Sequence, residues 1–411
     1  SSETTPLAIR MIGKVDIPNG VDDKVYLNIK SAENITFEGI GTDSTAFGWS
    51  ILLRQCNNVE VRNLAVMEFY DDGISLDTKN YNCWVHNCDV FYGQDRGGDQ
   101  KKGDGSLDVK SGSDYCTFSY NHFWDCGKTS LCGMKADNNQ GYHMTYYGNW
   151  FDHCDSRMPR VRGDQVHVYN NYYDGISKYG VGACTGSSIF VENNVFRNVT
   201  HAMMISQQGT DIAGGNTGTF SNEEGGIIKE FNNEYIEGDQ TKPIVFYQDD
   251  PVQFDAYKAT TRDEVVPDTV KTYKGGTSYS NFDTAATMYD YNPLPLDQVV
   301  NTVQAYAGRV QGGDFYYEFD DTVADADYSR NTVLGDALAG YETTVQGTYT
   351  SAGTYPATSG AMPTDKPTEP TFDPNAPTAT PKPTTTPAIQ ADPNTWDFGL
   401  APFTVTDSTG T

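Results

Sequence analysis

Short segments in which apolar and polar residues alternate recur through the first half of the chain. They are I-T-F-E-G-I (35–40), V-E-V-R-N-L (59–64), C-W-V-H-N-C (83–88), C-T-F-S-Y-N (116–121), M-T-Y-Y-G-N (144–149), V-H-V-Y-N-N (166–171) and I-F-V-E-N-N (189–194). Alternation over a few residues, bounded by Asn, Gly and Asp, predicts strands joined by turns. The last residues of the segments form a column, Ile40, Leu64, Cys88, Asn121, Asn149, Asn171 and Asn194, at intervals of 24, 24, 33, 28, 22 and 23 residues. A unit of about 23 residues with two insertions is a solenoid period. The Leu-rich consensus of leucine-rich repeats and the heptads of coiled coils are missing from it. The expected fold is therefore all-β, a right-handed parallel β-helix with peripheral loops and a C-terminal helix.

Equivalent residues on successive turns of such a coil lie about 4.8 Å apart. Asn121, Asn149, Asn171 and Asn194 should then stack amide on amide, a structural ladder with no catalytic role. Residues 211–295 are rich in Gly, Asn, Thr and Tyr and predict long loops and irregular last coils. Val299, Val300, Val303 and Tyr306 recur at helical spacing within 296–308, which predicts a helix packed on the solenoid. The expected catalytic domain spans 1–310, with 311–350 as a further wrap carrying a helix near 332–345. Ten of the nineteen prolines fall in 356–393, so 351–393 reads as an extended, Thr-rich linker and 394–411 as the start of a further module.

The coil phase also gathers charge. Asp72 is eight residues past Leu64, Lys128 seven past Asn121 and Arg157 eight past Asn149; Asp104 joins them once the insertion 94–103 is subtracted. Asp108 and Arg162 follow four and five residues after Asp104 and Arg157. Adjacent coils therefore read Asp, Asp, Lys, Arg. Three carboxylates without clustered Cys or His favour a hard cation such as Ca²⁺, which takes about 6–8 oxygen ligands. In a straight strand Asp104 and Asp108 would stand roughly 13 Å apart, so sharing an ion requires a bend, for which Gly105 is placed.

The stretches D-G-I-S-L-D (72–77), D-G-S-L-D-V-K-S-G-S-D-Y-C-T-F-S-Y-N (104–121), K-T-S-L-C-G (128–133) and R-M-P-R-V-R-G-D-Q-V-H-V-Y-N-N-Y-Y (157–173) resemble the pectate lyases of polysaccharide lyase family one, over roughly residues 7–310. The resemblance implies a Ca²⁺-dependent, endo-acting lyase that cleaves α-1,4-polygalacturonate by β-elimination to 4,5-unsaturated oligogalacturonides. It implies that Asp72, Asp104 and Asp108 bind Ca²⁺, that Arg157 is the base, that Lys128 and Arg162 hold the substrate carboxylate, and that Lys110 is a further substrate contact. A neighbouring Ca²⁺, Lys128 and Arg162 would each favour a neutral Arg157, which predicts an alkaline optimum. Two features depart from the family pattern: His86 stands where W-I-D-H has Asp, and the chain opens without the usual N-terminal capping segment.

A formal net charge of −27 argues against nucleic acid as a partner and should repel a polyanion at long range. The expected resolution is a local cationic cleft of Lys101, Lys102, Lys110, Lys128, Arg157, Arg160 and Arg162. The partner expected is polygalacturonate or pectin, the location extracellular, and the chain a monomer within a larger multi-domain protein, with no membrane span. Eight Cys, an even number, permit disulfides, although Cys83 and Cys116 read equally as stacked buried thiols. His122, Cys126, His153 and Cys154 raise a zinc alternative that lacks dense ligand spacing. Two rival functions stand beside the lyase: a pectin lyase acting on methylated polymer without Ca²⁺, and a catalytically silent polysaccharide-binding β-helix.

Overall fold

The computed structural model describes residues 6–17, 24–135, 141–213 and 220–345. The chain coils into parallel strands that stack turn upon turn, as the period predicts. One face is an eight-stranded parallel sheet containing Ile74–Thr78, Leu107–Val109, Leu131–Cys132, Arg160–Arg162 and Tyr179–Cys184. A second face stacks Trp84–His86, Cys116–Ser119, His143–Tyr147, Gln165–Tyr169 and Ser188–Glu192. A third, of three-residue strands, stacks His122–Trp124, Trp150–Asp152, Tyr172–Asp174 and Val195–Arg197. The long strand Glu33–Phe47 runs into both the second and third faces.

Alternation along each strand puts one set of side chains inside the coil. Phe123, Phe151, Tyr173 and Phe196 line up through the interior with ring centroids 5.2, 4.9 and 4.3 Å apart. Strands buried on successive turns in this way satisfy each other's backbone groups and share one continuous apolar core.

The Asn column forms the expected ladder. Asn121 Nδ2 donates to Asn149 Oδ1 (3.1 Å), Asn149 to Asn171 (2.9 Å) and Asn171 to Asn194 (3.0 Å), each side chain fully buried. It runs one rung further than the sequence period indicates, to Asn233 at 2.9 Å. The residue before each rung is left-handed, with φ of 50° at Tyr120, 64° at Gly148, 52° at Asn170, 51° at Asn193 and 52° at Asn232. Gly and Asn are the residues that adopt this conformation at least cost, which explains the recurring Asn-Asn pairs.

All eight cysteines are free and buried. The disulfide alternative is thereby corrected: in-register stacking gives the thiols backbone acceptors, as Cys56 has in Ile29 O (3.2 Å) and Cys184 in Val161 O (3.2 Å), while Cys132 donates to Asp164 Oδ2 (3.5 Å). Cys83 and Cys116 are stacked thiols, a hydrogen bond between them lowering the Cys83 pKa while burial raises that of Cys116.

Helix α1 spans Leu296–Tyr306 and buries Val299 and Val303 against Tyr172 and Val195. Tyr306 departs from expectation: it is 51% exposed, because the helix ends there and the chain turns so that the Tyr306 carbonyl accepts from Asn87 Nδ2 (2.8 Å). Helix α2 covers Thr332–Ala339, shorter than 332–345, capped by Asn331 and stopped at Gly340. The segment between them wraps the coil. Arg309 is buried on Asp43 (2.6 Å) and Asp89 (2.7 Å), and Leu334, Leu338 and Tyr341 pack on Phe91, Tyr92 and Trp124. The proline-rich stretch 351–393 and residues 394–411 lie outside the described residues. Among the described residues no helix is long and apolar enough to cross a membrane.

Candidate active site

The site lies on the outer surface of the eight-stranded sheet and on the turn that precedes it. Because Leu107 and Val109 face the core, Asp108 and Lys110 must face outward; in the same way Val161 faces in and Arg160 and Arg162 face out. Register pairs Gly105 with Lys128 and Lys128 with Ser156. Asp104 and Arg157 therefore sit one residue to either side of that row, which is as close as counting from the Asn column had placed them.

Carboxylate oxygens of Asp71, Asp72 and Asp104 all lie within 4.8 Å of one another. Asp71 is absent from the ligand set expected from sequence, although its adjacency to Asp72 was the available signal; its Oδ2 also accepts from Tyr26 (2.8 Å). Asp108 stands outside this trio. It is 3% exposed, and its Oδ1 accepts from the Leu131 amide (2.9 Å). The bend at Gly105 exists, and it is tight: a Cβ there would come within 2.4 Å of Asp108 Oδ2. Burial, and then the Asp72 charge, push the Asp108 carboxyl up to about 7 against the opposing pull of Lys110. Burial likewise raises Asp72, again opposed by Lys110. Lys110 Nζ pairs closely with Asp72 and lies 3.6 Å from Asp108 Oδ2. An all-oxygen group of converging carboxylates, in which burial raises Asp72 and Asp108, has the chemistry of a hard-cation site, so these residues fit Ca²⁺. No His or Cys joins a comparable group among the described residues. His122 instead pairs with Asp152 (2.8 Å), and Cys126 and Cys154 are buried in the core, which removes the zinc alternative.

The cations differ in their partners. Lys128 Nζ contacts Asp104 Oδ1 (3.0 Å) and Asp99 Oδ2 (2.8 Å). Arg162 Nε lies 2.9 Å from both oxygens of Glu223, and its Nη1 donates to Gly133 O (2.9 Å). Burial opposes, but the bonds from Arg162 and Ser221 outweigh it and hold Glu223 down at about 2. Arg160 shares Glu223 (3.2 Å). The Arg157 guanidinium has no hydrogen bond or ion pair among the described residues, and its backbone is left-handed at φ 65°, a conformation that costs a non-glycine residue roughly 1 kcal/mol.

The expected cationic cleft needs one correction. Lys102 is 4% exposed, and its ammonium is held by Asp125 and by Asp155 (2.8 Å). A buried ammonium requires such pairing, so Lys102 belongs to the fold and not to the cleft.

The model of a family described as pectate lyase matches residues 1–311. A pectate trisaccharide-lyase of Bacillus licheniformis is 32% identical over 197 residues, covering 47% of this chain and 57% of that protein, so the chain spans little more than half of the relative's length. A pectate lyase of Bacillus sp. N165, solved in complex with trigalacturonate, superposes with a TM-score of 0.53 at 21% identity over 74% of this chain and 85% of its own. Pectate lyase C of Erwinia chrysanthemi, solved at pH 9.5 with 30 mM Ca²⁺, gives 0.51 at 21% identity over 71% and 76%. These two likenesses bear on the fold alone. With a family match over three quarters of its length, on a β-helix whose motifs lie at the mapped cleft, the chain belongs to the pectate lyase family.

Proposed function

We propose that this protein is a Ca²⁺-dependent pectate lyase that cleaves polygalacturonate within the chain by β-elimination, releasing 4,5-unsaturated oligogalacturonides outside the cell. The observation that carries the reading is the unpaired Arg157 beside a carboxylate trio and the Lys128 ammonium. The trigalacturonate and Ca²⁺ in the two related structures support the choice of substrate and ion.

The proton at C5 of a galacturonate unit is α to the C6 carboxylate, and its removal places charge beside a group already negative. Asp71, Asp72 and Asp104 would hold Ca²⁺, with Asp108 behind them, and the bound ion would neutralise that carboxylate. Lys128 would bind a carboxylate oxygen of the same unit and stabilise the charge that develops there. Arg162, fixed through Glu223, would form the adjoining wall and offer its remaining Nη2. Arg157, with no carboxylate committing it to the cationic form, would take the C5 proton. The C5–H electron pair becomes the C4=C5 bond, the C4–O bond breaks, and the glycosidic oxygen leaves with a proton from solvent. Water is not consumed.

Product chemistry tests the reading. Incubation with polygalacturonate at alkaline pH should give a near-ultraviolet absorbance rise from unsaturated ends, abolished by chelator and restored by Ca²⁺. Saturated reducing ends without absorbance, or turnover indifferent to chelator, would reject it.

A further inference from the structure

The insertion 94–103 lengthens one coil and returns to the cleft. Arg96 anchors its outer limb, donating to Tyr70 O (3.3 Å) with its guanidinium 4.4 Å over the Tyr70 ring. Gly97 (φ 75°) and Gly98 (φ 58°) then reverse the chain; a Cβ at either would meet nothing within 4 Å, so backbone conformation and not packing calls for glycine. The 3₁₀ turn Gly98–Gln100 points two side chains back at the site. Gln100 Nε2 bonds to Asp104, and Asp99 Oδ2 lies 2.8 Å from Lys128 Nζ.

The two partners of that last contact differ in setting. The Asp99 side chain is 82% exposed and that of Lys128 only 11%, so a carboxylate approaches from solvent onto a sheltered cation. Lys128 does not need Asp99 for its position, since Asp104 holds the same ammonium at 3.0 Å. The hydrogen bond from Lys128, and more distantly the Arg157 charge, keep Asp99 ionised by lowering its pKa. An exposed carboxylate on a cation with which a uronate must pair is a competitor of the substrate.

We propose that Asp99 is an intramolecular competitor of the substrate: it occupies on Lys128 the place of a substrate carboxylate and must be displaced, which weakens the binding of every galacturonate chain that uses this subsite. The proposal rests on the reading that Lys128 binds a substrate carboxylate. An exposed ion pair is weak, so the penalty corresponds to about two- to fivefold in affinity. The penalty is the same for a trimer and for a polymer, because both must displace Asp99 at this one subsite.

The test is calorimetric binding of trigalacturonate with Ca²⁺ present, in an Arg157→Ala background that prevents turnover, for Asp99→Asn, Lys128→Gln and the pair. Asp99→Asn should tighten binding about two- to fivefold, and the gain should vanish when Lys128 is Gln. In the otherwise native protein, Asp99→Asn should lower KM for trigalacturonate and for polygalacturonate by the same factor. Unchanged or weaker trimer binding overturns the proposal, as does an equal gain with Lys128→Gln, which would mark a general effect of net charge. If Lys128→Gln alone binds as tightly as its parent, the fault lies with the assignment of Lys128 to substrate. Thermal unfolding of each variant confirms that the fold is intact.

Discussion

Gly105 and Asp108 share a space that admits no side chain: a Cβ on Gly105 would fall 2.4 Å from Asp108 Oδ2 and 2.6 Å from Oδ1. The bend that brings Asp104 near its partners thus depends on the smallest residue, and the buried carboxylate fills the gap. Gly105→Ala should push the Asp108 carboxylate off the Leu131 amide, costing about 1–3 kcal/mol in stability. Turnover should fall at least about tenfold because the whole acidic corner shifts. Unfolding temperature and lyase rate measured together check this, and native-like values in both would refute it.

His153 ties the coil to the C-terminal wrap. Its Nδ1 lies 2.6 Å from Asp152 and its Nε2 3.5 Å from Asp325 on the wrap, with Phe319 stacked on the ring at 4.1 Å. Burial works against protonation, but the Asp152 hydrogen bond and the charges of Asp152, Asp174 and Asp325 outweigh it and push His153 up to about 9. A folded-state pKa above the unfolded value stabilises fully below the unfolded pKa, here about 6.5, and is lost as pH rises through the folded one. Thermal stability should therefore decline between pH 7 and 10 by about 1–3 kcal/mol, and His153→Gln should flatten that slope. A slope unchanged in the variant would place the pH dependence elsewhere.

The Asn ladder should be worth more than its individual bonds. Asn149 accepts from the Asn121 backbone (3.1 Å) and side chain and donates to Phe118 O (2.9 Å) and Asn171 Oδ1 (2.9 Å), all buried. Asn149→Ala strands the Asn121 amide donor and the Phe118 carbonyl acceptor, each costing about 1–3 kcal/mol, so the unfolding temperature should drop sharply. At a temperature where the variant is folded, KM for polygalacturonate should be unchanged. Chemical denaturation and steady-state kinetics check both parts.

Glu223 should prove an anchor of Arg162. Glu223→Gln loosens the contact that fixes Arg162, so KM for polygalacturonate should rise several-fold, and Arg162→Lys, which cannot reproduce the fork, should raise KM about tenfold. Equal, small effects of both variants would assign the pair to the fold alone.

What was legible from sequence follows from periodicity. A strand alternation of two and a coil of about 23 residues fix which residues stack, so the Asn column and the Asp72, Asp104, Lys128 and Arg157 neighbourhood could be found by counting. Counting fails where the period breaks. Asn233 is 39 residues past Asn194, and its rung was therefore missed. Glu223 reaches Arg162 across 61 residues through a loop that carries no repeat. Asp99 lies inside the insertion that had to be subtracted to see the phase at all. Lys102 joins the cleft by its neighbours in sequence, but it sits in a turn that buries its ammonium against Asp125 and Asp155.

The central claim is that Arg157 removes the C5 proton. The most direct measurement is the absorbance rise from unsaturated product for wild type and Arg157→Ala with polygalacturonate and Ca²⁺, alongside polymer binding by the same two proteins. The account predicts a loss of about 100- to 10,000-fold in turnover, with binding preserved within a few-fold. Turnover within tenfold of wild type in Arg157→Ala would contradict it.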